Sequence, residues 1–240
     1  MKQYLLAKST FMCETAGYAV FLDVKRDRYV ALPPRQAALL KKLVRYSDGT
    51  STFAGAPYSE RAEMRDFVEL ARRLESEGLL VTQASQGKLL APTELPVAKT
   101  SLRISSLPSE KVAFRYRWHF LVAWITAAAA LRLMPLSWVI WRVRRRKRRS
   151  SPAVGSAEED ISRLTTIFSV LRPRDFAAAD ACLRHSLTLI EFLSRYGIFP
   201  DWVFGVQIAP FAAHSWVQYK TTVLNDGVHH VRSFSPVMVV

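Results

Sequence analysis

The sequence predicts an α+β protein with two domains, and three observations support this prediction. The chain has 240 residues, whereas one domain usually has about 100 to 150. Half of the residues are hydrophobic and 22% are charged, so packed cores are expected and a disordered protein is excluded. Runs typical of short strands and of amphipathic helices lie on both sides of a polar segment, residues 83–111.

The first predicted domain, residues 1–82, has the pattern of a small winged-helix-like module. Residues 10–32 alternate in short pieces with turn residues between them, which predicts two or three antiparallel strands. Pro34 then favours the start of a helix, and a second run with helical spacing begins at Ser59 and ends at Gly78. The letters LLVT that follow predict a closing strand.

A linker and a second domain follow. Residues 83–111 mix Ser, Thr, Pro, Gln and Gly without a clear period, which is typical of a linker. The second domain, residues 112–240, begins with an apolar segment from Trp118 to Trp141 that is about as long as a bilayer span. Because Arg132 and Pro135 interrupt this segment, we expect a buried or interfacial helix and no transmembrane helix.

The charge is strongly one-sided. A net charge of +14 and a pI near 10.2 favour anionic partners: nucleic acid, an acidic peptide or a membrane surface. The basic run Arg142 to Arg149 is expected to be a solvated helix end, with nucleic acid or weak contact with an anionic membrane as alternatives. Two distant cysteines, Cys13 and Cys182, and a poor signal peptide predict a reducing, cytoplasmic location.

Cys182 is the first candidate for catalysis. Asp180 is a good N-cap for a helix that ends at Gly197, so Cys182 falls in the first turn of that helix. There the helix dipole and free backbone N–H groups favour the thiolate, and the same groups can donate to the oxygen of a tetrahedral intermediate. The alternative is a cysteine that serves as a small hydrophobe in the core.

His214 and Asp226 are the candidates for a base and the residue that orients it. The letters HSWVQY have strand composition and place His214 on one face with Trp216 and Gln218, and TVLND resumes the strand pattern after a short loop. An odd loop places His214 opposite Asp226, which then fixes the imidazole tautomer for a thiol partner. An even loop places them on opposite faces. The alternative roles are a core histidine for His214 and a turn residue, within the letters NDG, for Asp226.

The other histidines are weaker candidates. His185 lies one helical turn after Cys182 without an obvious acid, and we expect a polar residue at the rim of the site. His229 and His230 are adjacent, and adjacent strand residues point to opposite faces, so we expect no metal site. No P-loop, GxGxxG or CxxC pattern occurs, and no bound cofactor is predicted.

Three runs of the second domain resemble a known family: CLRHSLTLIEFLSRYG, then FGVQIAPFAAHSWVQY, then VLND. They are similar to the transglutaminase-like B2 leader peptidases of lasso peptide biosynthesis, and LRLMPL with its basic tail resembles the helical subdomain of that family. The resemblance implies a transglutaminase-like, papain-like cysteine peptidase domain with Cys182 as nucleophile, His214 as base and Asp226 as acid.

Three positions near these residues depart from the pattern of that family: His185, Ser215 and Gln218. We expect the departures to alter substrate contacts around the site rather than the reaction.

The first domain resembles the PqqD-like winged-helix module that recognises precursor peptides, so the chain is similar to a B protein in which both elements are fused. The resemblance implies that an extended leader peptide adds a strand to an exposed sheet edge and sends side chains into pockets beside the third helix. We expect Tyr29, Val30 and Phe67 to line that site, with ordinary core residues as the alternative.

The function implied by the resemblance is that of a cysteine protease. It binds the leader of a ribosomal precursor peptide and hydrolyses the bond between leader and core. The implied partners are the precursor and a separate ATP-dependent cyclase; ATP dependence of cleavage is reported for the family, although this chain has no nucleotide motif. Two other classes remain open: a non-catalytic basic adaptor for peptide or nucleic acid, and an acyl or glutamine transferase on the same three residues.

Overall fold

The computed structural model separates into two compact units, Met1–Thr93 and Glu94–Val240. The structure describes residues 4–46, 58–90, 93–102, 112–149, 157–172 and 181–240.

The first unit contains the predicted antiparallel strands as a three-stranded sheet. Strands β2 (Thr10–Thr15), β3 (Tyr18–Asp23) and β4 (Arg28–Leu32) pair in that order. Ala16 and Gly17, which connect β2 to β3, have φ values of 49° and 81°. Tight hairpin turns need such positive φ values because their backbone twist then matches that of the strands.

Two helices and a second sheet complete the first unit. Helices α1 (Pro34–Tyr46) and α2 (Tyr58–Ser76) lie where the sequence predicts them, and the closing strand β5 (Leu80–Val81) follows. The sequence did not predict β1 (Leu5–Ala7), which lies between β5 and β6 (Gly87–Lys88). The secondary structure therefore follows the predicted order, and the PqqD-like identity of the module stays a prediction.

Two arginines connect the three-stranded sheet to the end of α2. Arg26 Nη1 and Arg28 Nη2 donate to the carbonyl oxygen of Glu77, at 2.6 and 3.0 Å. Arg26 also donates to the buried Asp23 carboxylate at 3.0 Å. Because the last carbonyls of a helix have no partner inside it, these guanidinium groups both satisfy and position the C-terminus of α2.

Two short paired strands lie within the predicted linker. Within residues 83–111, β6 pairs with β1, and β7 (Thr100–Ser101) runs parallel to β10 (Thr222–Val223). The predicted linker therefore contains two paired strands, and its residues 103–111 lie outside the described part of the chain. Strands of two residues have no hydrophobic period, so only their tertiary partners define them.

The second unit begins with helices. They are α3 (Phe114–Leu133), α4 (Leu136–Arg149), α5 (Ala157–Leu171) and α6 (Ala181–Ser194). Pro135 separates α3 from α4, so the apolar segment between Trp118 and Trp141 forms two helices. In the part of the chain that the structure describes, no helix is long and apolar enough to cross a membrane.

Helix α6 lies between the other helices and a five-stranded sheet. It contacts α3 and α5 on one side and β9 (Phe211–Tyr219) on the other. The sheet has the order β11-β8-β9-β10-β7, with β8 (Asp201–Ile208) and β11 (Ser235–Val239) antiparallel. Most of α6 is buried, including His185 through Leu193, because the helix has neighbours on several sides.

Gly205 on β8 allows the sheet to pack closely beside His214, its partner on β9. A Cβ atom at this glycine would lie 2.6 Å from the Trp216 ring and 2.9 Å from Phe234 Cβ. Contacts that short do not occur in proteins, so a larger side chain would displace both aromatic rings. The position of the His214 strand therefore depends on a glycine at this site.

The basic run of α4 is only partly solvated, which corrects the prediction. Arg142 and Arg146 each donate to the buried Glu191 of α6 at 2.8 Å. Arg144 donates to the carbonyl of Val239 at 3.0 Å, and Lys147 to Asp201 at 2.5 Å. These four cations hold α4 against α6 and the sheet, because carboxylates and strand ends lie within their reach.

We expect Glu191→Gln to destabilise the second unit by about 1 to 3 kcal/mol, since two guanidinium groups lose a buried anionic partner. Urea unfolding followed by circular dichroism measures the change. Glu158→Gln is the matched control, because the Glu158–Lys220 pair is exposed and contributes less than about 1 kcal/mol. Equal effects of the two substitutions would contradict the role of Glu191.

Candidate active site

Cys182 lies in the first turn of α6, as predicted, while its predicted N-cap Asp180 lies outside the described residues. The half-buried thiol makes a hydrogen bond with His214 and accepts from the backbone N–H groups of Ser215 and Leu183. Burial acts to raise the pKa of Cys182, but the His214 contacts and the two backbone donors outweigh it and lower that pKa. The site therefore favours the thiolate.

His214 connects the thiol to Asp226. Its Nε2 donates to Asp226 Oδ2 at 2.5 Å, which leaves Nδ1 as the ring atom for the thiol of Cys182. Burial opposes the charged imidazole, yet the contacts with Asp226 and Cys182 outweigh it and raise the pKa of His214 to about 9. The Cys182 thiol and the His214 imidazole therefore each favour the charged form of the other.

The strand register that brings His214 and Asp226 together differs from the expected one. Tyr219 pairs with Thr222, so the connecting loop has two residues rather than an odd number. The expectation that an even loop separates His214 from Asp226 is wrong, because β10 ends at Val223. Asn225 Oδ1 then accepts from the backbone N–H of Val217 at 2.8 Å, and the next residue, Asp226, turns towards the imidazole.

Asp226 has further donors besides His214. The Nδ1 atom of His230 lies 2.9 Å from Asp226 Oδ2, and the backbone N–H of Gly227 donates to Oδ1 at 2.6 Å. Although burial acts to raise the pKa of Asp226, the hydrogen bonds from His214, His230 and Gly227 lower it to about 2. The carboxylate is thus ionised and held in place at neutral pH.

His230 is a site residue that the sequence interpretation missed. The interpretation treated residues 229 and 230 as a strand, whereas they lie in the short helix α7 (Val228–Val231). The helix directs His230 back to Asp226, four residues earlier, at the i,i+4 spacing that brings side chains together. The signal for this contact in the sequence was a histidine four residues after Asp226, just beyond the turn letters NDG.

Two imidazoles and one carboxylate of the site form a close cluster. Ligand atoms of His214, Asp226 and His230 lie within 4.8 Å of one another, so strand alternation does not separate the two imidazoles. Both imidazoles already bind the same carboxylate oxygen. Because an ionised carboxylate only accepts hydrogen bonds, both rings donate, and this network accounts for the cluster.

His185 is buried, which corrects the expectation of a residue at the rim. Its ring stacks on Phe168 with centroids 5.5 Å apart, and Arg172 Nη1 lies 3.3 Å from its Nε2. Burial and the charge of Arg172 lower the pKa of His185 to about 4, against the smaller opposite effect of Asp226. His185 therefore stays neutral at pH 7 and packs the thiol helix α6 against α5.

The other two departures from the family pattern are also buried, so the expected role in substrate contacts is wrong for them. Ser215 Oγ accepts from Trp202 Nε1 at 2.8 Å. Gln218 accepts from Trp216 Nε1 at 3.2 Å and donates to the carbonyls of Pro96 and Lys220. Each polar side chain is satisfied inside the fold, as burial requires.

A serine on α6 fixes the thiol helix to the strands. Ser186 Oγ donates to the carbonyl of Ser215 at 2.9 Å and accepts from the amide of Asn225 at 3.0 Å. Asn225 thereby connects α6, β9 and the loop that carries Asp226. The sequence interpretation did not single out Ser186, because a lone serine in a helix has no distinctive pattern.

The predicted leader-binding residues do not share one surface. Tyr29 and Val30 are adjacent in β4, so their side chains point to opposite faces of the sheet. Val30 and Phe67 are partly buried and pack against the core of the first unit. Strand β4 is nevertheless an edge of its sheet within the described residues, so its outer backbone groups have no strand beside them.

Residues 123–239 match the family described as Transglutaminase-like superfamily, and a transglutaminase-like domain is therefore present there. Members of this superfamily are typically cysteine-based enzymes. The comparisons with curated proteins and with solved structures gave no match. The matched range contains Cys182, His214 and Asp226.

We expect iodoacetamide at pH 7 to alkylate Cys182 at least about 100-fold faster than Cys13, because only thiolate reacts. Burial raises the pKa of Cys13 to about 11, whereas the pKa of Cys182 is lowered. Mass spectrometry of both peptides over time gives the two rates within one protein. Similar rates would show that the thiolate of Cys182 is not stabilised.

We expect His230→Ala to shift the pH midpoint of Cys182 alkylation upwards, because a less firmly held Asp226 stabilises the imidazolium of His214 less. A purely structural role of His230 would lower the unfolding midpoint without this shift. His229→Ala is the matched control, since His229 is exposed in the same short helix. His230→Gln, which keeps an N–H donor, should restore part of the wild-type profile, and an unchanged profile in all three variants would refute the role.

Proposed function

We propose that this protein is a cysteine peptidase that removes the leader from a lasso precursor peptide. The observation that carries this proposal is the hydrogen-bonded chain from Cys182 through His214 to Asp226 inside a transglutaminase-like domain. The lowered pKa of Cys182, the raised pKa of His214 and the lowered pKa of Asp226 support nucleophilic catalysis by this chain of residues. The runs around these three residues, which resemble B2 leader peptidases, support the substrate assignment.

The proposed reaction has two stages. In the first, the Cys182 thiolate attacks the carbonyl carbon of the leader–core bond, and the protons of backbone N–H groups at the start of α6 stabilise the negative oxygen. The imidazolium of His214 then gives its proton to the leaving amine, so the core is released and the leader remains as a thioester. In the second stage, His214 takes a proton from water, which attacks the thioester and frees the leader acid and the thiolate.

Leader recognition would belong to the first unit. The strand β4 lies at an edge of its sheet within the described residues, and an extended peptide pairs with a sheet at such an edge. The amine released from the core becomes available to a separate ATP-dependent cyclase, which is the implied partner. We assign the reaction to the cytoplasm, where the free thiols Cys13 and Cys182 stay reduced.

A second candidate function is acyl transfer. The family match to transglutaminase-like domains favours it, because the same thioester can be attacked by an amine instead of water. A labelled primary amine would then appear in the product.

The test is mass spectrometry of a precursor peptide incubated with the purified full chain, the cyclase, ATP and a labelled amine. We expect leader release by the wild type and by Cys13→Ala, none by Cys182→Ala, and a rate lower by about 10² to 10⁴ for Asp226→Asn.

The products separate the candidate functions. A leader carrying a free carboxylate supports hydrolysis, and a leader carrying the labelled amine supports transfer. Equal cleavage by wild type and Cys182→Ala would contradict the mechanism. Absence of cleavage together with salt-sensitive binding of arbitrary DNA would favour the basic adaptor.

A further inference from the structure

Helices α3 and α4 carry an unusual distribution of charge. The 36 residues from Phe114 to Arg149 include ten arginine and lysine residues and no aspartate or glutamate. The whole chain has a net charge of +14, so this segment accounts for most of the excess. A segment whose charges all have one sign attracts anions from solution.

The outward face of α3 is apolar. Four large side chains recur every three or four residues and form one stripe along the helix: Phe114, Trp118, Leu121 and Ile125. They are 79%, 55%, 42% and 52% exposed, while the opposite face, with Ala123 and Ala127, is buried. Exposed apolar side chains in one continuous stripe indicate an interaction surface rather than scattered surface residues.

Further exposed apolar side chains lie at the corner between the helices and along α4. Leu133 and Met134 are exposed where the two helices meet, and Trp138 and Trp141 follow one turn apart on the outer face of α4. Arg145 and Arg148 extend the same face, and the guanidinium of Arg145 lies 5.0 Å from the centre of the Trp141 ring. Indole and guanidinium groups therefore lie next to each other on this face.

The outer arginines differ from the inner ones. Arg142, Arg144, Arg146 and Lys147 contact groups of the same unit. Arg145, Arg148 and Arg149 are exposed to solvent, as are Arg117 and Arg132 beside the α3 stripe. The inner contacts hold the helix in place, so the outer face is presented on a fixed support.

We propose that the outer faces of α3 and α4 bind the surface of an anionic lipid bilayer. Tryptophan rings occupy the level of the headgroups, apolar side chains enter the boundary below them, and arginines contact lipid phosphates. The apolar row and the cations beside it match the chemistry of this surface on both counts, and residues 114–149 contain no carboxylate of their own. The inference does not depend on the proposed function, because these residues lie on α3 and α4, whereas Cys182 lies on α6, His214 on β9 and Asp226 after β10.

The test is flotation of the full chain with vesicles of phosphatidylcholine alone or with added phosphatidylglycerol. We expect binding to the anionic vesicles that falls as salt rises. Trp138→Ala combined with Trp141→Ala should remove most of it. Arg145→Gln combined with Arg148→Gln should weaken it by about 30-fold, since each arginine near such a surface contributes about fivefold.

The matched controls lie in the first unit: Leu89→Ala, which removes another exposed apolar side chain, and Lys25→Gln, which removes another exposed charge. Both should bind vesicles like the wild type, and circular dichroism and Cys182 alkylation should be normal in every variant. Equal binding to neutral and anionic vesicles, or wild-type binding by both double variants, would overturn the proposal. Absence of binding to any vesicle would also overturn it and would favour an acidic protein as the partner of the α3 and α4 faces.

Discussion

The enclosure of helix α6 is the constraint on which the candidate site depends. Packing on α3, α5 and β9 leaves this helix no freedom to shift, because a buried helix moves only if several interfaces repack together. Ser186 and Glu191 then fix its rotation, one towards the strands and the other towards α4. As a result, the first turn brings the Cys182 thiol to the imidazole of His214.

Burial and hydrogen bonding oppose each other at every titrating group of the site. Desolvation alone would favour neutral Cys182, His214 and Asp226, and in each case specific donors or charges outweigh it. At His185 the charge of Arg172 adds to the effect of burial and outweighs that of Asp226, so the pKa of His185 is lowered to about 4. The pKa shifts of these four groups therefore have identifiable causes, and the shifts of Cys182, His214 and Asp226 depend on one another.

The sequence predicted most of the secondary structure, because its signals are local. Turn residues and helix breakers identified β2 to β5, the start of α1 and the limits of α2, and the composition of β9 identified the strand of His214. The paired ends of the linker could not be predicted, since β6 and β7 are defined by their partners alone. The inner contacts of the basic run were also missed, because charge in a sequence does not indicate which carboxylates lie nearby.

The sequence by itself determined which residues could react: a cysteine in the first turn of a helix, a histidine on a strand and an aspartate twelve residues further on. Only the tertiary structure decided how they meet. The two-residue loop would have separated His214 from Asp226 in a regular ladder, and Asn225 ends that ladder through its side chain. The same holds for His230, whose contact depends on a short helix. Such contacts arise where regular structure stops, and periodicity carries no information there.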